Sequence, residues 1–337
     1  MVNIAIDVFG GDNAPLAVLQ GCAMAREEYQ DIHIILTGER EKIKKAARAA
    51  AIDLADFEIC EASSVILPEE DPFEIRRSRA DSSMAVGLSL LVQGKADAFI
   101  SGGSTAALTI GASLIVKRIR GIKRAALAPV LPSEKGPFML IDAGANLDCR
   151  SDMLLQFAIM GSIYAERVLD IEQPRVGLAN VGAEPNKGTG ELREAFSLIQ
   201  KSEYCHFVGN VEARDLPMGV CDVVVSDGIS GNMILKTMEG MGSFFVDSLK
   251  EMFVSNMKGK IAAALLLDSI KALKKKMDYT EYGGGVLMGV SRPVIKAHGS
   301  SNAKAFKNAI RQARLCVKNR VIEEIIESIG GIHSRNE

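Results

Sequence analysis

The feature that most constrains the fold is a regular alternation of short apolar runs with longer stretches of helical period. The predicted strands are Asn3–Val8, His33–Thr37, Ala98–Ser101, Phe138–Asp142, Val176–Val181, His206–Gly209 and Val223–Ser226. The predicted helices are Ala17–Glu28, Lys42–Ala51, Ser82–Val92, Met153–Leu169 and Lys187–Gln200. Strands that alternate with helices of this length indicate βαβ units, in which helices cover both faces of a mainly parallel sheet. The pattern therefore predicts an α/β fold.

Composition excludes some classes of function. The 337 residues are 47% hydrophobic and 24% charged, with a formal net charge of -2, no Trp and 5% aromatic residues. A nucleic-acid binder usually carries a basic excess or aromatic stacking platforms, and this chain has neither. We therefore expect a soluble globular protein with no nucleic-acid partner.

Two further patterns bear on metals and location. The six cysteines are scattered, without a CxxC pair or a histidine at ligand spacing, so we expect reduced core cysteines, no metal and a cytoplasmic protein. The opening MVNIAIDVFGGD has no basic n-region and predicts no export signal. Residues 98–116 carry no charge over roughly one membrane span, but their paired glycines mark a strand-to-helix switch, and a buried helix is predicted.

No internal repeat or linker divides the chain, so we expect a single catalytic domain over residues 1–337. Residues 240–280 differ in character: they predict a protruding helical arm of two amphipathic helices that meet near Gly259. A Gly-rich turn is predicted next, followed by a C-terminal helix from about Asn302 to Ser328.

Polar and glycine residues follow almost every predicted strand. The segments that share this composition are 7–13, 101–105, 142–146, 180–189, 209–212 and 227–232. Glycines let backbone N–H groups approach an anion, and a helix N-terminus adds about half a positive charge. Because ligands bind at the carboxyl ends of parallel strands, six such loops favour one shared phosphate crevice. Any one loop alone would be read as an ordinary turn.

Known catalytic signatures are missing. The sequence has no GxGxxG after the first strand, no GxxxxGK[ST], no HExxH and no GxSxG, so neither a bound cofactor nor an acyl-enzyme triad is predicted. Lys187 stands among glycines at a predicted helix start, where an ammonium would hold phosphate or polarise a carbonyl; the alternative is a solvated loop lysine. His298 precedes a Gly-Ser-Ser helix start and is either functional or structural.

Two basic clusters stand out from the nearly neutral chain. They are Arg76, Arg77 and Arg79, and Lys117, Arg118, Arg120, Lys123 and Arg124. Each would recruit an acidic partner or a phosphate-bearing arm, or would simply be a solvated face.

Six motifs, in order and spread over almost the whole chain, carry a family resemblance. They are DVFGGDNAP, SGGSTAAL, DAGANLDC, GNVEARD, VVVSDGISGNMILKTMEG and GVSRPVIKAHGSS. Together they resemble the PlsX phosphate acyltransferases of bacterial phospholipid synthesis. The resemblance implies a three-layer α/β/α fold similar to those of isopropylmalate dehydrogenase and phosphotransacetylase. It also implies a homodimer that contacts the inner face of the cell membrane peripherally.

The resemblance implies a reaction as well. Long-chain acyl-acyl carrier protein and inorganic phosphate would give acyl phosphate for a membrane glycerol-3-phosphate acyltransferase, by direct attack of phosphate and without a covalent acyl-enzyme. The family's lysine falls on Lys187, which would place phosphate, and its asparagine falls on Asn232, which would donate to the thioester oxygen. The implied phosphate and substrate residues are Asp7, Gly10, Gly11, Asp12, Ser104, Thr105, Asp142, Asn146, Asp227, His298 and Ser300.

The sequence departs from the family pattern at three places. Ser104 replaces the family's asparagine in SGGSTAA, Phe9 replaces a methionine in DVFGGD, and the segment AEPNKGTG around Lys187 drifts from the family's acidic lead-in.

Alternatives for the arm and for the reaction stay open. Apolar arm residues beside Lys258, Lys260, Lys271, Lys274, Lys275 and Lys276 would suit either an anionic lipid surface or a dimer interface. For the reaction, an acyl-CoA-using phosphotransacylase is the main alternative, ahead of a dehydrogenase of the same fold or a non-enzymatic scaffold.

Overall fold

A computed structural model of the chain describes residues 1–277 and 279–335, with the side chains of residues 1–273 and 281–331. The strands are β1 Val2–Asp7, β2 Ile32–Gly38, β3 Phe57–Glu61, β4 Ala98–Ser101, β5 Ala126–Ser133, β6 Gly136–Ile141, β7 Arg175–Ala179, β8 His206–Val211, β9 Val223–Val225, β10 Gly285–Met288 and β11 Val294–Lys296. The helices are α1 Leu16–Glu28, α2 Arg40–Ala49, α3 Ser83–Val92, α4 Thr105–Gly111, α5 Ser151–Leu169, α6 Gly190–Gln200, α7 Gly228–Val254, α8 Met257–Leu265, α9 Leu267–Met277, α10 Ala303–Lys318 and α11 Val321–Arg335.

The described strands form an eleven-stranded sheet in the order β3-β2-β1-β4-β11-β10-β5-β6-β9-β7-β8. Its strands pair mainly in parallel, as predicted, and three central pairs are antiparallel: β11 with β10, β10 with β5, and β5 with β6. These three reversals make the group β6, β9, β7 and β8 run opposite to the group β3, β2, β1 and β4. The loops that follow β1 and β4 therefore leave the sheet in the opposite direction from those that follow β6 and β9.

Helices cover both faces of the sheet, which gives the predicted three layers. Along β1, the alternate residues Ile4 and Ile6 join a cluster with residues of α1, α5 and α10, whereas Ala5 joins a second cluster with Phe99 and α3. This alternation is the two-residue period of a strand that is buried on both sides. Complete burial of one such aliphatic side chain stabilises the fold by roughly 1.5–3 kcal/mol.

The Gly-rich segment predicted as a turn is the largest disagreement between sequence and structure. It contains β10 and β11, which lie in the middle of the sheet between β4 and β5. The strands β10 and β11 have only four and three residues, and all of these are buried. Their sequences therefore lack the alternation of apolar and polar residues that would have marked them as strands. β3 and β5 were also absent from the predicted strands.

Helix boundaries correct two predictions. The helix predicted from Lys187 begins at Gly190, because the Thr189 hydroxyl caps it by accepting from the Leu192 amide. The C-terminal helix is two helices, and Arg320 takes a left-handed φ of 53° between them.

The first two arm helices meet between Val254 and Met257, slightly before the predicted position near Gly259. The Asn256 side chain caps α8 by accepting from the Gly259 amide, so Gly259 lies in the first turn of α8, and α9 follows as a further helix. The side chains of Lys274, Lys275 and Lys276 lie outside the described residues.

The uncharged segment 98–116 forms β4, α4 and a π-helical turn, Ala112–Val116. Within residues 1–277 and 279–335, no helix combines the length and the apolar character needed to cross a bilayer.

Candidate active site

A cavity of about 680 Å³ lies over the central strands, between the N-terminal turns of α4 and α7. Its floor includes Leu127, Pro129 and Leu131, which share one face of β5. Pro129 pairs with Gly285, beside Lys296 at the end of β11, and the Leu127 amide donates to Asp142 at the end of β6. The oppositely directed strand ends are thus two residues apart along β5. Loops from both halves of the sheet meet at this cavity.

The start of α7 forms one wall. The Asp227 carboxylate caps the helix by accepting from the Ser230 amide at 2.8 Å. Gly228 and Gly231 pass so close to the carbonyl oxygens of Asn146 and Asp142 that a Cβ at either position would lie well inside van der Waals contact. Glycine at these two positions therefore lets the helix N-terminus lie directly on the loop 142–146.

Asn232 follows on the same helix and reaches the cavity. It lines the cavity beside Gly144, whose added Cβ would be 3.6 Å from the Asn232 Oδ1 atom. Its exposed carboxamide stands one turn into α7, where the helix dipole favours negative charge. The structure thus gives Asn232 a position from which it can donate to a developing oxyanion.

Asp142 shapes the loop beneath this helix. Its carboxylate accepts from the amides of Leu127, Gly144, Ala145 and Asn146, and from the Asn146 side chain. Burial raises the pKa of this carboxyl, although the hydrogen bonds act against the shift. Gly144 and Ala145 line the cavity, whereas Asp142 and Asn146 do not. These two predicted substrate residues hold the loop in place.

The loops after β1 and β4 form the opposite side. Thr105 lines the cavity at the start of α4, and the Ser104 hydroxyl caps that helix by accepting from the Ala107 amide. Asp7 is buried behind them and accepts from the Ser101 hydroxyl at 2.7 Å; burial raises its pKa. Ser104 and Asp7 therefore support the wall without lining it.

Two glycines and a second aspartate complete this side. An added Cβ on Gly10 would collide with the Asp7 carboxylate, and one on Gly11 would touch the Gly299 carbonyl oxygen. The Asp12 amide donates to that same carbonyl oxygen at 2.8 Å, and Gly299 lines the cavity. The segment 10–12 is thereby fixed against the cavity wall without lining it.

Like Lys236, described below, Lys296 is a functional candidate that sequence reasoning missed. It lines the cavity, is 8% exposed, and donates from Nζ to the carbonyl oxygens of Gly102, at 3.2 Å, and of Ala297. Burial lowers its pKa to about 8, with Asp12 and Asp7 acting in the opposite direction. A lysine inside the apolar run VIKA was the signal that could have revealed it.

His298 and its neighbours stand at the same end of the cavity. The Ser300 amide donates to Nδ1 of His298 at 3.2 Å, which leaves Nε2 to carry the proton of the neutral ring. Nε2 lies 3.8 Å from Glu239, and Glu239 accepts from Lys236 at 2.7 Å. Burial lowers the pKa of His298. Of this group, His298, Glu239 and Lys236 line the cavity, and Ser300 holds the ring from behind.

Lys187 is not brought into this cavity. Its exposed side chain lies 4.0 Å from Glu184 in the loop after β7, and its carbonyl oxygen accepts from the Asn180 side chain. Because β7 pairs with β9, this loop neighbours the start of α7. Its proposed catalytic role stays a prediction.

The rest of the cavity wall is largely apolar. Its aliphatic and thioether side chains include Ile110, Leu127, Val130, Leu131, Leu147, Ile229, Met233 and Leu235. A charged, donor-rich end is thus continuous with a surface that suits a hydrocarbon chain.

Comparisons with known proteins show which family the chain is similar to. A sequence profile of the family described as "Fatty acid synthesis protein" matches residues 2–324. Phosphate acyltransferases from Clostridium botulinum (strain Loch Maree / Type A3) and Thermoanaerobacter pseudethanolicus are 47% and 48% identical over 333 and 332 residues. These matches cover 99% and 98%, respectively, of both chains.

A solved structure shares the fold. A phosphotransacetylase from Streptococcus pyogenes superposes with a TM-score of 0.62 at 19% identity, over 96% of this chain and 94% of that one. The expected phosphotransacetylase-like fold is therefore confirmed. Together with the near-full-length identity, these similarities establish that the chain is an enzyme and belongs to the PlsX family of phosphate acyltransferases.

Proposed function

We propose that this enzyme transfers a long-chain acyl group from the thioester of acyl-acyl carrier protein to inorganic phosphate. The observation that carries the proposal is one cavity in which Lys296, Lys236 and the N-terminus of α7 are continuous with an apolar wall. Cationic groups and helix N-termini bind phosphate, and the apolar side chains accommodate the acyl chain.

In the proposed reaction a phosphate oxygen attacks the thioester carbonyl carbon. The carbonyl electrons move to oxygen and return to re-form the carbonyl as the C–S bond breaks, and the leaving thiolate takes up the proton that the attacking phosphate loses. Phosphate is itself the nucleophile, so the protein needs only to place two substrates and stabilise the oxyanion. No covalent acyl-enzyme is formed in this scheme.

Individual residues have distinct parts. Lys296 and Lys236 neutralise phosphate, and Asn232 donates its carboxamide N–H to the thioester oxygen as charge develops there. We keep Lys187 as the second catalytic residue, acting from the loop beside α7. Asp142, Asp227 and Ser104 are positioning residues, because their hydrogen bonds fix the loop and the two helix starts.

The same proposal covers partners and location. Residues 1–337 would act as one catalytic domain in a cytoplasmic homodimer that contacts the inner face of the membrane and passes acyl phosphate to a membrane glycerol-3-phosphate acyltransferase. Exposed apolar side chains along the arm support a dimer or lipid contact; examples are Met241, Phe244, Met252, Ile261 and Leu265.

Product trapping tests the proposal. Purified enzyme, acyl-acyl carrier protein and phosphate should give an acyl hydroxamate when hydroxylamine is added, and omission of phosphate should abolish it. Parallel assays with acyl-CoA at equal concentration show which of the two thioesters the enzyme prefers. If the enzyme prefers acyl-CoA, acyl-CoA replaces the acyl carrier protein in the proposal. If neither thioester gives a phosphate-dependent product, the proposal is refuted.

A further inference from the structure

A strip of basic side chains borders the cavity and takes no part in the proposed chemistry. Residues 117–124, here called the basic rim, contain five cations among eight residues and no acid: Lys117, Arg118, Arg120, Lys123 and Arg124. The whole chain has a formal net charge of -2. The rim is therefore a local positive field on a nearly neutral protein.

The position of the basic rim follows from what it connects. It begins after α4, whose Thr109 and Ile110 line the cavity, and it ends just before Leu127 on the cavity floor. The Asn146 side chain donates to the Ala125 carbonyl oxygen at 2.7 Å, which ties the end of the rim to the loop that carries Leu147. Leu147 lines the cavity and is 73% exposed, so it stands at the opening next to the rim.

The backbone of the rim is fixed while its cations are exposed. The Ile119 amide donates to the Gly289 carbonyl oxygen at 3.0 Å, and the Lys123 amide donates to the Gln156 side chain at 3.0 Å. Ile119 and Ile122 are 4% and 5% exposed, so the apolar members of the segment face the core. The rim thus offers charge without an apolar surface that would insert into lipid.

Most of these cations lack a counterion within the described part of the chain. Lys123 pairs with Asp152, which Arg150 also approaches at 3.4 Å. Among the residues that the structure describes, no acid lies within ion-pair distance of Lys117, Arg118, Arg120 or Arg124. Four exposed charges on a backbone that is held in place favour a negatively charged partner that covers the rim.

We propose that the basic rim docks an acidic acyl carrier protein, so that its thioester-bearing arm enters the cavity past Leu147. This inference rests on the proposed function and adds the docking surface to it. The five exposed cations of the rim outnumber the phosphate groups of one CoA nucleotide, and an acidic protein face would match them. Rim charges of this kind act mainly on association and on its salt dependence.

Charge reversal tests the rim. In the Arg118→Glu/Arg120→Glu variant, KM for acyl-acyl carrier protein should rise by about tenfold or more at low ionic strength, while kcat and turnover of acyl-pantetheine stay at wild-type values. The matched control is Lys45→Glu/Arg48→Glu, which reverses two exposed cations on α2, away from the cavity. This control should leave KM unchanged. Equal KM values for wild type and the rim variant would overturn the proposal.

A binding measurement separates the rim from the reaction. Wild-type enzyme should bind carrier protein that bears a free pantetheine arm, and the rim variant should bind it at least about tenfold more weakly. This result would support the rim even if no acyl phosphate were ever formed. Wild-type enzyme that fails to bind the carrier protein would refute it. So would a rim variant that loses only binding to phosphatidylglycerol vesicles.

Discussion

The Lys296 ammonium donates to the carbonyl oxygen of Gly102 across 3.2 Å, and this bond joins the last residue of β11 to the loop after β4. A buried cation held by neutral carbonyls has little to neutralise it internally, because Asp7 and Asp12 act only at longer range. An anion in the cavity would supply the missing charge.

We therefore expect Lys296→Met to raise KM for phosphate and lower kcat/KM by roughly 10²-fold, since one charged contact to the reacting group is lost. Lys296→Arg should retain part of the activity. Steady-state kinetics with phosphate as the varied substrate measure both effects. Wild-type kinetics for the methionine variant would remove Lys296 from phosphate binding.

The pKa of Lys296 predicts a pH dependence. Its folded pKa of about 8 lies below the ordinary lysine value of 10.5, so the ammonium loses its proton as pH rises through 8. KM for phosphate should then rise above about pH 8, and this rise should vanish in Lys296→Arg. The same pKa affects stability in the other direction. Between pH 8 and 10.5 the unfolded chain binds more protons than the folded chain, so the contribution of Lys296 to the free energy of unfolding increases as pH rises. Denaturant titrations at pH 7.5 and 9.5, compared with Lys296→Met, isolate that contribution.

Two glycines of α7 form a matched pair for stability. Gly231→Ala would press a methyl group against the Asp142 carbonyl oxygen, and we expect a loss of about 1–3 kcal/mol in the free energy of unfolding together with a fall in kcat. Gly240→Ala meets open space in the same helix and should stabilise by about 0.5–1 kcal/mol. Denaturant unfolding of the two variants measures the difference. Equal effects would mean that α7 does not rest on the loop as described.

Asn232→Ala should lower kcat by roughly 10²–10³-fold with little change in unfolding free energy, because an exposed oxyanion donor is removed. Asn232→Asp tests whether a negative charge at this position is unfavourable. A carboxylate would repel the oxyanion, so this variant should lower kcat at least as much as Asn232→Ala. Hydroxamate formation under saturating substrates reports kcat. An alanine variant with normal turnover would exclude Asn232 as the donor.

Lys187→Ala should fold with unchanged stability, because its side chain is exposed and makes only a 4.0 Å approach to Glu184. If Lys187 acts in catalysis, kcat should fall by at least about tenfold, as expected for loss of a charge near the transition state. Lys201→Ala, an exposed lysine at the other end of α6, is the control. Full activity of the Lys187 variant would mean that Lys187 is a solvated loop lysine without a catalytic role.

The sequence predicted the layers, because strand period and helix period are local. Of the six loops expected at one crevice, those at 101–105, 142–146 and 227–232 line the cavity. β1 was predicted at Asn3–Val8 and lies at Val2–Asp7, a shift of one residue. The direction of the second half of the sheet was not predictable, since it depends on the antiparallel pairing of β5 with β6 and on two very short strands.

Lys296 was missed for a related reason. A charged residue is normally read as exposed, and only tertiary burial among Val294, Ile295 and Ala297 makes it a cavity residue. Asp142 and Asn146 were predicted as substrate residues, but their contacts are with the loop itself. A residue pattern does not distinguish contacts within a loop from contacts with a ligand.

The late position of β10 and β11 in the chain has a consequence for biosynthesis. Until residues 285–296 leave the ribosome, β4 and β5 each present an open edge on the side where these strands later insert. The end of the cavity that contains Lys296 is thus assembled only when nearly all of the chain has been made. A nascent chain halted before this segment would have two unpaired sheet edges and an incomplete cavity. Such a chain would be a substrate for chaperones.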